Sequence, residues 1–591
     1  MKQVFQHGVL LVACASAVFF VNLGAPRLWD RDEPRNAGCT VEMLERNDWV
    51  VPWFNDELRD HKPVLLYWFM MTAYGVFGVN EFAARFWSAA LGVGAVLATY
   101  LIGRRLLGSQ VGLWGGIVLS STLMFSVAAR AATPDSVLIF FFTASLLVYV
   151  LATFRPLDEG DDAGPQPRVA GQFFPASWPA VALMYALMGM AVLAKGPAGL
   201  ILPTAVIGMF LLIMRLPERT DLGAASRQQP WWRAWLVAVL RPWSPLHFLR
   251  TCWSMRPLTA LAASLAVALP WYVWVGYRTD GAWLQGFFFK HNLERAMAPM
   301  EGHAGPIVFY PIALLIGFLP WSVFAVPVLV DLVRRLRRSD PWKPSLIFLV
   351  CWTCVVMGIF SLARTKLPSY ITPVYPAVAI LFGSFVVQWK QGAELSGRFW
   401  GKASFVTLGV VGLLMLIGLS VASWFLLPGA EWLGAIGLIP LAGAAFGCHY
   451  VARNEIHKAT GAMAISSILL TLCLVSVVST RADRHQTFHV LLDAIDARSA
   501  TPIVASYGCL EPSWVFYGGR PIRELPATPE AAAAFLAASE DHFVITTDRV
   551  HSSLEGKLPP DAMVLAETPY FFKNRMLLLL GRRGPAVSPQ D

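Results

Sequence analysis

Charge is scarce in this chain. Only 14% of its 591 residues are Asp, Glu, Lys or Arg, against roughly 25% in soluble domains. That excludes an ordinary water-facing surface over most of its length. Cysteines are few and form no framework: most of the eight lie inside apolar runs, where burial is their ordinary fate. Cys351 and Cys354 spell CxxC with no second pair, which argues against a metal knuckle. Cys39 and Cys509 lie outside such runs, and a bridge between them is an open alternative. No internal repeat is visible, and no P-loop or nucleophile elbow occurs in the last hundred residues. Also missing is a basic face interleaved with aromatics, so the net charge of +9 is not read as nucleic-acid binding.

What the chain has is grease. Hydrophobic residues make up 56% of it, with 23 Trp and 37 Phe, and the mean hydropathy is +0.53. About thirteen apolar runs approach the roughly 20 residues that a hydrocarbon core requires. They run from 8–25 through 82–103, 110–129 and 197–215 to 461–480. The first contains the small-residue stretch "ACASA" of a signal peptide but stays apolar further on, which suits a retained anchor. Lys and Arg set the orientation. With the N-terminus in the cytoplasm, the inner loops collect Arg104, Arg105, seven arginines from Arg215 to Arg256, the cluster Arg334 to Arg338, Lys390, Arg398, Lys402, Arg453 and Lys458. An odd number of spans then puts residues 482–591 outside. That tail reads as a small α/β domain. "TPIVASYG", "HFVITTD" and "AMVLAETPYFF" are β runs, and "TPEAAAAFLAASED" is a helix with Thr528 as N-cap and Glu530 in its first turn. "RMLLLLGRRG" is a last strand or short helix. Residues 156–177 read as a cytoplasmic loop. The expected division is therefore 1–481, a polytopic α-helical membrane domain, and 482–591, a soluble extracytoplasmic one.

The cations left on the outer side are the ones topology does not explain. They are Arg31, Arg35, Lys62, Arg130, Lys195, Arg295, Arg364 and Lys366, several beside Pro or Gly at the end of an apolar run. Acids share that face. "DRDEPR" puts five charges into Asp30 to Arg35 directly after the first run, and Asp135 follows in "ATPDS". Histidines join them: His61, His291, His303, His485 and His489. Carboxylates, cations and imidazoles on one face suit chemistry on a lipid-linked anion. The cations hold a phosphate and a carboxylate takes the proton of an acceptor hydroxyl. A transporter or flippase for a lipid-linked substrate is the alternative, but it predicts repeats and interrupted helices at the midplane.

The stretches "LWDRDEPRNAGCTVEMLERNDWVVPWFND", "HKPVLLYWFMMTAYGVFGVNEFAARFWSA", "ATPDSVLIF", "LAKGPAGLILP" and "ARTKLPSYITPVYPAVAIL" come in an order and spacing that resembles the aminoarabinose transferase (lipid A glycosyltransferase) family. That family lies within the GT-C superfamily, which includes the protein O-mannosyltransferases. The resemblance implies an inverting transfer of a sugar from a polyprenyl-phosphate donor to a lipid, glycan or protein acceptor, at the outer face of the cytoplasmic membrane. It implies Asp32 as leading catalytic acid with Glu33 and Arg35 beside it, and Asp135 as a second acid. Lys62, Arg35, Arg295, Lys366 and Tyr370 are the expected donor-phosphate contacts, with Arg295 one helical turn after His291. His61 and His291 fall at family-matching positions and His485 and His489 follow the last run on the same side, so a zinc or similar divalent ion held by these histidines is one expectation; the alternative is that each packs or hydrogen-bonds alone. Two positions depart from the family. His61 stands where Glu is common, which changes a possible metal ligand. Asn36 stands where Tyr is common, which alters the cavity wall.

Overall fold

The computed structural model describes residues 2–29, 31–157, 164–216, 240–294, 305–338, 340–392 and 398–583. Nine helices lead from the start of the chain to residue 214: α1 (Lys2–Phe20), α2 (Asp32–Glu45), α3 (Leu65–Phe77), α4 (Glu81–Leu107), α5 (Ser109–Ser120), α6 (Leu123–Arg130), α7 (Pro134–Thr153), α8 (Trp178–Lys195) and α9 (Ala198–Met214). Later helices include Pro257–Arg278, Lys343–Leu362, Pro368–Lys390, Arg398–Leu426, Glu431–Ala452 and Ile456–Asp483. Among the described residues, ten helices are long and apolar enough to cross a membrane. Two further spans are bent pairs: α5 with α6 at 68°, and Phe309–Gly317 with Trp321–Arg337 at 114°. With the 17-residue α9, these account for the thirteen apolar runs. The bends are new information, since hydropathy registers composition and not direction. This is a multi-pass membrane protein.

Local chemistry sets the helix ends. Asn80 caps α4 by accepting from the Ala83 N–H at 2.9 Å. The turn from α4 into α5 needs Gly108, whose φ is 98°. The two helices then press together so closely that a Cβ on Gly112 would run into the Tyr100 carbonyl. Small residues allow such backbone approach where lipid supplies no hydrophobic drive between helices.

Residues 21–80, between α1 and α4, carry α2, α3 and the short hairpin of β1 (Trp53–Phe54) and β2 (Glu57–Leu58). They share a core, around Leu28, Ala37, Met43 and Tyr67, with residues of α4, α7 and α8 and with Trp271 and Trp283. At the far end of the chain, β3 (Ile503–Ser506), β4 (Ile522–Glu524), β5 (His542–Thr547), β6 (Ala562–Pro569) and β7 (Met576–Arg582) form one sheet in the order β4-β3-β5-β7-β6. The first three strands are parallel, and β7 and β6 join antiparallel. Helix Pro529–Ala538 begins after Thr528, whose side chain makes no capping bond. "RMLLLLG" is a strand.

The sheet region sits on residues 27–55. The Arg27 N–H donates to Asp483 and its guanidinium to the Gln486 carbonyl. Tyr517 accepts from the Leu28 N–H and donates to Glu81. Asn55 and Ile522 exchange two hydrogen bonds of 2.9 and 2.7 Å. Cys39 and Cys509 remain separate thiols. In the stretch read as a loop, residues 158–163 lie outside the described residues. Of the rest, Pro167 bridges to Phe154.

Candidate active site

The first two residues of α2 have opposite fates. Asp32 is solvent-accessible, with much of the chain around it. Burial would push its carboxyl up, but the charges of Lys62, Arg59, Arg35 and Lys195 outweigh that and hold it below the ordinary carboxylate range. Its place in the first turn of a helix also favours the anion. Glu33 turns inward. It is 5% exposed and takes both arms of Arg85, at 2.8 and 2.7 Å. It also accepts the backbone N–H groups of Ala132, at 2.8 Å, and Trp29. Arg85 spends its remaining donors on the carbonyls of Leu23, Pro26 and Arg27. The expected catalytic role of Glu33 is therefore corrected: a carboxylate with this many fixed partners is a structural tie.

Asp135 stands in the first turn of α7, after Pro134. Lys195, the last residue of α8, pairs with it. The same ammonium lies 5.4 Å from the centre of the Tyr370 ring. Asp32, Asp135, Lys62, Arg35 and Tyr370 are thus brought into one neighbourhood, joined through Lys195. Arg59, which sequence reasoning missed, belongs with them. It is buried, donates to the Tyr67 hydroxyl and to Asn36, and acts on Asp32. Its only signal was a second cation, three residues before Lys62, in "ELRDHKP".

Next along the chain, Asp60, His61 and His291 place three ligand atoms within 4.8 Å of one another. Asp60 Oδ1 lies 3.2 Å from His61 Nδ1 and 3.0 Å from His291 Nε2, and the two rings are 3.8 Å apart. Burial would raise the Asp60 carboxyl, but the two imidazoles hold it far below its usual range. Burial lowers the His61 imidazole, helped by Arg59 and His291 and opposed by Asp60. Two neutral imidazoles and a carboxylate suit a zinc-type ion. His291 Nδ1 is buried and has no hydrogen bond among the described residues, so this imidazole has a ring nitrogen to spare for a ligand. Asp60 was not foreseen. His485 and His489 do not join the group: among the described residues it holds only these three.

Other expected contacts are corrected or lie elsewhere. Lys366 donates to the carbonyls of Phe360, Ser361 and Ala363, closing the end of Lys343–Leu362, and so is not turned to a phosphate. Arg130 serves α1 in the same way through Val18, Phe19 and Val21. Arg295 and His303 lie outside the described residues. Beside the Asp32 neighbourhood, a cavity of about 510 Å³ opens between the end of α6 and the sheet region. Trp29, Glu33, Val127, Thr133, Glu511 and Tyr570 are among its walls.

The chain is similar to known proteins. Residues 10–241 match the family model of dolichyl-phosphate-mannose-protein mannosyltransferases. An uncharacterized protein of Aquifex aeolicus is 28% identical over 372 residues, 62% of each chain. The undecaprenyl phosphate-alpha-4-amino-4-deoxy-L-arabinose arabinosyl transferase of Yersinia pestis is 27% identical over 74% of this chain and 71% of its own. The crystal structure of ArnT from Cupriavidus metallidurans bound to undecaprenyl phosphate superposes with a TM-score of 0.72, at 21% identity over 97% of both chains. The fold is therefore the one that structure has. In sequence the chain is similar to the Yersinia arabinosyl transferase and, over residues 10–241, to the mannosyltransferase family model.

Proposed function

We propose that this protein is an inverting glycosyltransferase that moves a sugar from a polyprenyl-phosphate donor to a hydroxyl or phosphate of a lipid, glycan or protein. One observation carries the reading: a solvent-accessible carboxylate, Asp32, kept ionised by four surrounding cations. The acceptor oxygen attacks the anomeric carbon while the bond from that carbon to the phosphate oxygen breaks. Asp32 takes the acceptor proton, and the phosphate leaves with the bonding pair toward Lys62, Arg35 and Arg59. Lys195 holds Asp135 and faces Tyr370, and Asp135 orients the acceptor. A divalent ion, when bound, would be held by Asp60, His61 and His291 and would add positive charge near the leaving phosphate. The cavity beneath the sheet region admits the acceptor.

The reading places the protein in the cytoplasmic membrane, with Asp32 and residues 482–591 on the outer side and the membrane domain ending at about 481. The basic residues of the opposite loops support that orientation. Mass spectrometry of envelope lipids, glycans and glycoproteins from cells with and without the protein identifies the product. Asp32→Asn, at equal protein level, is expected to lower that product by about 100-fold or more, the loss of a general base. Unreduced product from Asp32→Asn removes Asp32 from the chemistry.

A further inference from the structure

Asn36 is fully buried in the second turn of α2, and both ends of its amide are engaged. Its Nδ2 donates to the Ala132 carbonyl at 3.0 Å, and its Oδ1 accepts from Arg59 Nη2 at 3.0 Å. The amide orientation is fixed by these partners, since the flipped amide would turn its NH2 group to a guanidinium. On the same face of α2, three residues earlier, Glu33 accepts the Ala132 N–H at 2.8 Å. One helix therefore grips both sides of a single residue's backbone. Ala132 lies three positions before Asp135, and Arg59 lies three positions before Lys62, so Asn36 touches both segments that meet Asp32.

We propose that Asn36, with Glu33, is a positioning residue that sets where Asp135 and the Arg59–Lys62 segment stand relative to Asp32. The inference rests on the glycosyl-transfer reading above. An amide suits the task because it donates and accepts at once. A carboxylate at this position would face the Ala132 carbonyl with a second acceptor, and an aliphatic residue would release both partners. Asn36 touches no reacting atom in this scheme. Its effect passes through Ala132 to the start of α7, and through Arg59 to the donor-binding cations. A misplacement of about 1 Å at a reacting centre is enough to cost about 100-fold in rate.

The two halves of the amide can be separated in the full-length protein in lipid nanodiscs. Three readouts are taken: thermal-shift affinity for undecaprenyl phosphate, deuterium exchange at the Ala132 amide, and transfer product per protein in membranes. Asn36→Asp keeps the acceptor for Arg59 and loses the donor to Ala132. It is expected to lower product about tenfold or more, to speed exchange at Ala132, and to leave undecaprenyl-phosphate affinity within about threefold. Asn36→Ala also frees Arg59, and affinity should then fall with the product. If Asn36→Asp does not fold, Ala132→Pro removes the N–H that Glu33 receives and keeps the carbonyl that Asn36 holds, at the cost of fitting a ring into a buried position. Ala131, at φ −78° and ψ 141°, already has the backbone a residue before proline adopts. Wild-type product from Asn36→Asp, or equal proportional losses of product and affinity in both variants, overturns the assignment in favour of a simple fold-stabilising role. A wild-type chain that yields no transfer product instead refutes the glycosyltransferase reading, while exchange and affinity still report on the tie.

Discussion

At the scale of single residues, adjacency in sequence is a poor guide to shared chemistry in a helix. Asp32 and Glu33 are neighbours in "DEPR", yet successive residues point about 100° apart, so one meets the cations and the other meets Arg85. The charge around Asp32 sets a pH dependence. Its carboxyl is held below the usual value of about 3.9, so the acid limb of transfer lies below that value. Removing a cation raises the carboxyl, and Lys62→Met should move the limb to higher pH in a rate profile on purified protein. An unmoved limb would mean that Asp32 does not govern it. The metal group gives a second expectation. Elemental analysis after purification without chelator should find about one divalent ion per chain, the ordinary occupancy of a site with zinc-type ligands. His291→Ala should lower that content and His485→Ala should not. Asp32, Asp135 and Lys62 could be singled out from the sequence because motif and residue type coincide. Arg59 was not, because nothing in "ELRDHKP" distinguishes a buried cation from a solvated one. Lys366 misled for a related reason: a lysine stem is long enough to fold back onto its own helix end.

Elements were read well as long as hydropathy spoke for them. Each of the thirteen apolar runs falls on described helix, because a run that long has few other fates in a membrane. The two sharp bends were invisible. One of them, between α5 and α6, brings Arg130 to the end of α1, where it closes three carbonyls. Arg130→Met leaves those groups without a charged donor and is expected to destabilise the protein by about 2–3 kcal/mol. A lower thermal midpoint, with undecaprenyl-phosphate affinity unchanged in the folded fraction, would show it. Close helix packing gives the complementary test. A side chain on Gly383, which faces α5, would meet the Val111 carbonyl at 2.7 Å. Gly383→Leu should lower the yield of folded protein in detergent, whereas Gly418→Leu, with nothing within 4 Å, should not.

Across the whole molecule, the last hundred residues and residues 27–55 form one contact surface. The sheet was legible in its long strands, but β4, three residues long, carried too little pattern to be seen. The docking was not legible at all, since it depends on single polar residues such as Asn55 and Tyr517, each ordinary in a loop or helix. Asn55→Ala breaks the reciprocal pair with Ile522 and should cost about 1–2 kcal/mol in holding the sheet region down. Limited proteolysis between 484 and 502 should be faster in that variant while the membrane helices stay intact. Unchanged cleavage would show that the other contacts suffice.

The same docking has a consequence for biosynthesis. Arg27, Leu28 and Asn55 leave the ribosome 456 to 489 residues ahead of the partners they bind. At about 5–20 residues per second, translation separates them by roughly 20 to 100 s. During that interval α2 and its neighbours have no lid. A nascent chain halted before residue 522 would carry Asp32 and Lys62 but could not finish the surface above them, so quality control has a defined half-built species to recognise.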